Sequence, residues 1–124
     1  MSEGEIAEPL RGGLSPVVPF PAPASRQISF NRAELREILD LYGRKVAEGE
    51  WRDYAIDFLR DKAVFSIFRR TSEMPLYRIE KDPKLARRQG AYAIVAASGF
   101  ILKRGHDLAR VLRVLDKPLQ VVTN

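Results

Sequence analysis

The spacing of apolar positions changes twice along the chain, from a period near 3.6 to a period of two and back again. Leu35, Ile38, Leu39, Tyr42 and Val46 recur three or four residues apart, which predicts an amphipathic helix over 32–48 with these five on its core face. Asn31 is a good N-cap, and Glu34 stands three residues on, the spacing of a capping box. Phe30 before the cap is placed to staple onto Leu35, and Gly49 is a stop signal. Gly43 inside the helix predicts close approach of another backbone.

From Trp51 the period falls to two. Tyr54, Ile56 and Phe58 alternate with Asp53, Ala55 and Asp57, the pattern of a half-buried strand. A second strand is predicted over 63–69, rich in β-branched and aromatic residues, and a third over 76–81 with Tyr77 and Ile79 inward. The short connections require an antiparallel meander. Asp82, Pro83 and Gly90 mark one or two helical turns. Strands over 90–97 and 100–103 follow, joined at Ser98-Gly99. Asp107 then caps a second helix whose stripe is Leu108, Val111, Leu112 and Leu115. Pro118 stops it, and 119–122 reads as a returning edge strand. The expected class is α+β: an antiparallel sheet of about five strands, the N-terminal helix packed on one face, the second helix near the C-terminus.

Residues 1–26 hold five of the eight prolines and follow neither period, so they read as a disordered Pro-rich tail before one domain over 27–124. No stretch is apolar enough to span a bilayer, and Glu3, Glu5 and Glu8 stand where an export signal needs cations, so no membrane role and a cytoplasmic setting are expected. With no cysteine there is no disulfide, thiol chemistry or thiolate metal site.

The resemblance of longer strings extends this reading. Tyr42-Gly43-Arg44, residues 49–54 (Gly-Glu-Trp-Arg-Asp-Tyr), Phe68-Arg69-Arg70, residues 75–81 (Pro-Leu-Tyr-Arg-Ile-Glu-Lys) and Leu102-Lys103-Arg104-Gly105 resemble a small bacterial domain family of unknown function, from about Phe30 to the C-terminus. The resemblance implies a self-contained domain and supplies no activity or catalytic residue.

Charge sharpens the search for a site. The net charge is +5, but residues 31–59 carry seven Asp/Glu against five Lys/Arg, whereas 60–88 carry nine Lys/Arg against four Asp/Glu. Two basic groups result. One holds Arg69, Arg70, Arg87 and Arg88, with Arg78, Lys81 and Lys84 and the aromatics Phe68 and Tyr77 between them. Arg87 and Arg88 also fall at the end of the short helix, where they complement its dipole. The other basic group holds Lys103, Arg104, Arg110, Arg113 and Lys117, with His106, Arg110, Arg113 and Lys117 recurring opposite the leucine stripe. Asp107 already occupies the cap where a phosphate would sit.

Catalytic constellations are missing by pattern. His106 is the single histidine, with no Gly-x-Ser-x-Gly nucleophile elbow and no metal-binding helix motif. Asp53 and Asp57 share a strand face, where a cation or acid/base pair is one reading and a solvated charged face the better one. Trp51 reads as a core residue closing the helix–sheet junction. These observations point to a non-enzymatic binding or adaptor domain, without cofactor or metal, that recognises a protein partner. A homodimer is a further expectation. The alternative is a nucleic-acid-binding protein using the basic groups at 69–88 and 103–117.

Overall fold

The computed structural model of the chain describes residues 27–70 and 74–116. The Pro-rich tail, the loop at 71–73, Lys117 and the strand expected at 119–122 lie outside them.

Helix α1, Arg32–Ala47, starts as its sequence dictates. The Asn31 side chain accepts from the Glu34 N–H at 2.8 Å, and the Glu34 carboxylate accepts from the Asn31 N–H at 2.7 Å. It ends where Gly49 takes a left-handed φ of 79° and the Gly49 and Glu50 N–H groups reach back to the Val46 and Lys45 carbonyls.

Five antiparallel strands follow in sequence order: β1 Asp53–Phe58, β2 Ala63–Phe68, β3 Tyr77–Lys81, β4 Tyr92–Ala96 and β5 Ile101–Gly105. A 3-10 turn at Pro83–Leu85 lies between β3 and β4, capped by the Asp82 carboxylate. Helix α2 spans Leu108–Asp116. The expected α+β class, with five strands and two helices, is what the chain adopts.

Register fixes two ends of the sheet. Phe68, Tyr77, Ala96 and Ile101 lie at one end, here the near end; Ala63, Lys81, Tyr92 and Gly105 lie at the far end. Phe65, Ile67, Ile79 and Ile94 share one face and form a single cluster with Ile38 and Leu41 of α1, Trp51, and the α2 stripe Leu108, Val111, Leu112 and Leu115. Both helices therefore cover the same face. On the second face Glu80 accepts from Lys62 at 3.2 Å and from Arg78 at 3.3 Å, beside the buried Val64, Ala93 and Val95.

The predicted core roles of Trp51 and of the α2 stripe are correct; on α1, Ile38 is buried and Leu35 and Tyr42 pack against the core as predicted, while Leu39 and Val46 do not. The buried positions of α1 are Glu34, Ile38, Leu41 and Lys45, while Leu39 is 38% exposed and Val46 41% exposed. Hydrophobicity alone placed Leu39 and Val46 inward, whereas Leu41 and the polar Glu34 and Lys45 take the remaining buried positions. Glu34 enters with partners on the sheet, and Lys45 buries its stem while its ammonium reaches Glu48 at 3.4 Å. Gly43 is a second correction. It is exposed, and an added Cβ would meet nothing within 4 Å, so no backbone approaches it.

Candidate functional site

The β4–β5 hairpin sets up the most distinctive surface. Gly99 takes a φ of 93°, its N–H reaches the Ala96 carbonyl at 2.8 Å, and the chain reverses. Ile94 then pairs with Lys103 but Val95 with Ile101, which leaves Leu102 as the extra residue of a β-bulge. The bulge breaks the alternation that would have sent every second side chain inward. Phe100 in the turn before β5, and Ile101 and Leu102 on it, are all exposed, at 67%, 45% and 37%. β5 is also the last strand of the sheet, so its outer edge carries no strand among the described residues.

At the far end of β5 the chain turns sharply into α2. Gly90 and Gly105 meet here: a Cβ built on Gly90 would lie 2.2 Å from the Gly105 carbonyl carbon. The Arg104 guanidinium donates to the Gly90 carbonyl at 3.3 Å, which ties the β3–β4 connection to β5. The Asp107 carboxylate accepts from the Ala109 N–H at 3.0 Å and starts α2. A hollow of about 450 Å³ opens between β5 and the outer flank of α2. It is lined by Lys103, Arg104, Gly105, His106, Asp107, Arg110, Val111 and Arg113.

Asp107 is the single carboxylate among that lining. Its partner, the Arg110 guanidinium, lies 3.9 Å away with both groups well exposed, which contributes little. Lys103 and Arg113 make no ion pair among the described residues. Arg113 also borders a smaller cleft between the helices, where Glu37, Asp40 and Asp116 balance the charge.

The other basic group does not exist as one surface. Arg69 and Arg70 follow β2 at the near end, whereas Arg87 and Arg88 follow β3 at the far end. The length of β3 separates them, roughly 13 Å at the usual rise per residue. Residues close in sequence were counted together, but an antiparallel turn sends them to opposite ends. Tyr77 belongs to the core beside Trp51, not to a stacking platform. Lys81 is held by the buried Glu34, and Lys84 makes only an exposed pair with Asp61. Arg87 and Arg88 lie in the turn after the 3-10 segment, exposed, on the same end as the hollow but outside its lining.

Asp53 and Asp57 do share a face, and Asp53 accepts from the Tyr54 N–H at 2.8 Å. Among the described residues no group of three or more His, Asp or Glu could hold a metal ion.

The sequence reading missed one polar cluster. Glu34 accepts from the Lys81 ammonium at 2.8 Å and from the Tyr92 hydroxyl, while Lys81 also reaches the Ser29 carbonyl at 2.9 Å. Burial pushes the Glu34 carboxyl up. The hydrogen bonds from Lys81, Tyr92 and the Asn31 backbone outweigh burial and hold it below its ordinary 4.5. Burial first, then the bond to Glu34, raises the Tyr92 hydroxyl well above its ordinary 10.0. The cluster fastens the start of α1 to the far ends of β3 and β4. Its one signal in the sequence was the capping-box glutamate.

Together these features define a small α+β domain with both helices on one sheet face and a basic hollow beside an apolar strand edge. The chain belongs to the family described as "protein of unknown function (DUF2794)", which matches residues 28–112 and so more than half of its 124 residues. The match begins close to Phe30, where the resemblance was first legible, and ends inside α2. No curated protein and no solved structure matches the chain. Among the described residues no helix is long and apolar enough to cross a membrane.

Proposed function

We propose that this chain is a non-enzymatic protein-binding module and that it takes its partner along β5. The observation that carries this reading is the juxtaposition on one strand. Three consecutive exposed apolar residues, Phe100, Ile101 and Leu102, run directly into Lys103 and the basic hollow. Apolar anchors rimmed by charge, beside an unpaired strand edge, are what a partner's extended backbone and side chains require. Water alone offers no reason for a run of three large apolar side chains to face outward together.

A second reading, nucleic-acid binding, is favoured by the surplus of cations in the hollow. Against it, Arg69 and Arg70 stand at the other end of the sheet and Lys62, Arg78 and Lys81 are already paired with the largely buried carboxylates of Glu80 and Glu34. That arrangement gives no continuous track for a phosphate backbone.

A photo-crosslinking residue placed at position 102 tests the reading in living cells, with position 57 on the opposite sheet edge as the control. Adducts at 102 that are digested by protease and resist nuclease are expected, with few at 57. Nuclease-sensitive adducts, or equal yields at both positions, contradict it.

A further inference from the structure

We propose that the partner's binding segment is an acidic, extended stretch of protein that adds to β5 as a sixth strand, with its carboxylates in the hollow lined by Lys103, Arg110 and Arg113. The proposal rests on the reading of β5 as a protein-binding surface and names the chemistry of what binds there.

Among the described residues no strand pairs with the outer edge of β5, and its backbone donors and acceptors are what a sixth strand would complete. Side chains supply the selection. Lys103 pairs with Ile94 and so lies on the helix-covered face, where the flank of α2 brings Arg110 and Arg113 to the same hollow. A carboxylate opposite Lys103 meets all three cations, and Asp107 is the one acid there to oppose it. Two residues earlier, an apolar partner side chain meets Ile101 on the second face.

The same geometry disfavours a second copy in the registers centred on Leu102, Lys103 or Arg104. A two-fold antiparallel pairing must oppose residues that lie on the same face. Centring it on Leu102 would oppose Ile101 to Lys103, which the bulge has put on opposite faces. Centring it on Lys103 or Arg104 would oppose each cation to itself, a like-charge pair across the strands. Two chains of net charge +5 add to that repulsion.

The test uses the full chain, labelled with nitrogen-15, and a ten-residue fluorescent peptide of alternating Glu and Val. Hydrogen exchange of the outward amides of β5 should slow about ten-fold when the peptide is saturating, because they gain carbonyl partners. Lys103→Glu with Arg110→Glu should weaken binding roughly ten-fold or more, whereas Arg69→Glu at the near end should not. A peptide with Lys in place of Glu should not bind. Unfolding midpoints equal to wild type show that each variant is folded.

Binding that leaves β5 exchange unchanged overturns the proposal, as does equal binding of the Lys peptide. Protection of β5 that grows with protein concentration before any peptide is added would mean that a second copy is the occupant, and that also overturns it. Protein adducts at position 102 together with failure of the Glu peptide would reject this inference and leave the broader reading standing. Failure of both would reject the two together.

Discussion

Gly90→Ala lowers stability by ~3 kcal/mol or more, from two independent costs. The first is backbone strain. Gly90 has a φ of 112°, a conformation that L side chains rarely adopt. The second is collision, since the new methyl would sit 2.2 Å from the carbonyl carbon and 2.3 Å from the carbonyl oxygen of Gly105. Backbone, not a flexible side chain, is in the way, so the β3–β4 connection must lift off the β5–α2 junction. Urea unfolding reads the change as a lowered midpoint at unchanged slope. Gly43→Ala is the control with the opposite sign. Its site is open and helical, so the same methyl should stabilise by ~0.5–1 kcal/mol. A loss below ~1 kcal/mol at position 90 would mean that the two glycine backbones are not in contact.

Glu34→Ala is the second large effect, at ~3 kcal/mol, because it leaves a half-buried ammonium and a hydroxyl without their shared acceptor. Lys81 retains the Ser29 carbonyl, which limits the loss. Glu34→Gln keeps the reach of a capping box but not the charge, and should cost ~1–2 kcal/mol. The pH dependence follows from the direction of the shift. The folded carboxyl lies below its ordinary 4.5, so its contribution is fully present above that pH and is lost as pH falls through the folded value. The raised Tyr92 hydroxyl acts in the opposite sense: its contribution is present below its ordinary 10.0 and declines as pH rises beyond it. Chemical unfolding at a series of pH values should therefore show wild type losing stability faster than Glu34→Gln below pH 4.5. Parallel curves for the two proteins would remove Glu34 from the account.

What was legible in the sequence was local. The Asn31–Glu34 capping box, the Gly49 stop, the meander and the Leu108, Val111, Leu112, Leu115 stripe are set by residues within a few positions of one another. Features that depend on distant partners were not legible. Glu34 reads as a surface residue until Lys81 and Tyr92 arrive from strands some fifty residues away. The clash that makes Gly90 special lies across the chain at Gly105, whereas Gly43, where close approach of another backbone was expected, meets none.

The candidate surface divides in the same way. Lys103, Arg104, Arg110 and Arg113 were named from their types and spacing, and α2 and β5 do bring them to one hollow. Arg69, Arg70, Arg87 and Arg88 failed as a group because sequence proximity says nothing about which end of a sheet a turn reaches. The exposed apolar run at 100–102 escaped notice because on β5 it depends on a one-residue bulge, which only the pairing register of β4 and β5 reveals.

The central claim is that the hollow beside β5 receives a protein segment and not a nucleic-acid backbone. The most direct measurement is a titration of labelled single- and double-stranded DNA and RNA against the full chain, at low salt and then at increasing salt. A phosphate backbone seated on several cations releases counterions, so its affinity must fall steeply as salt rises. No saturable complex is expected at micromolar protein, in wild type or in Arg110→Gln with Arg113→Gln. A tight low-salt complex that collapses with added salt, and whose salt slope flattens when Arg110 and Arg113 are replaced, would contradict it.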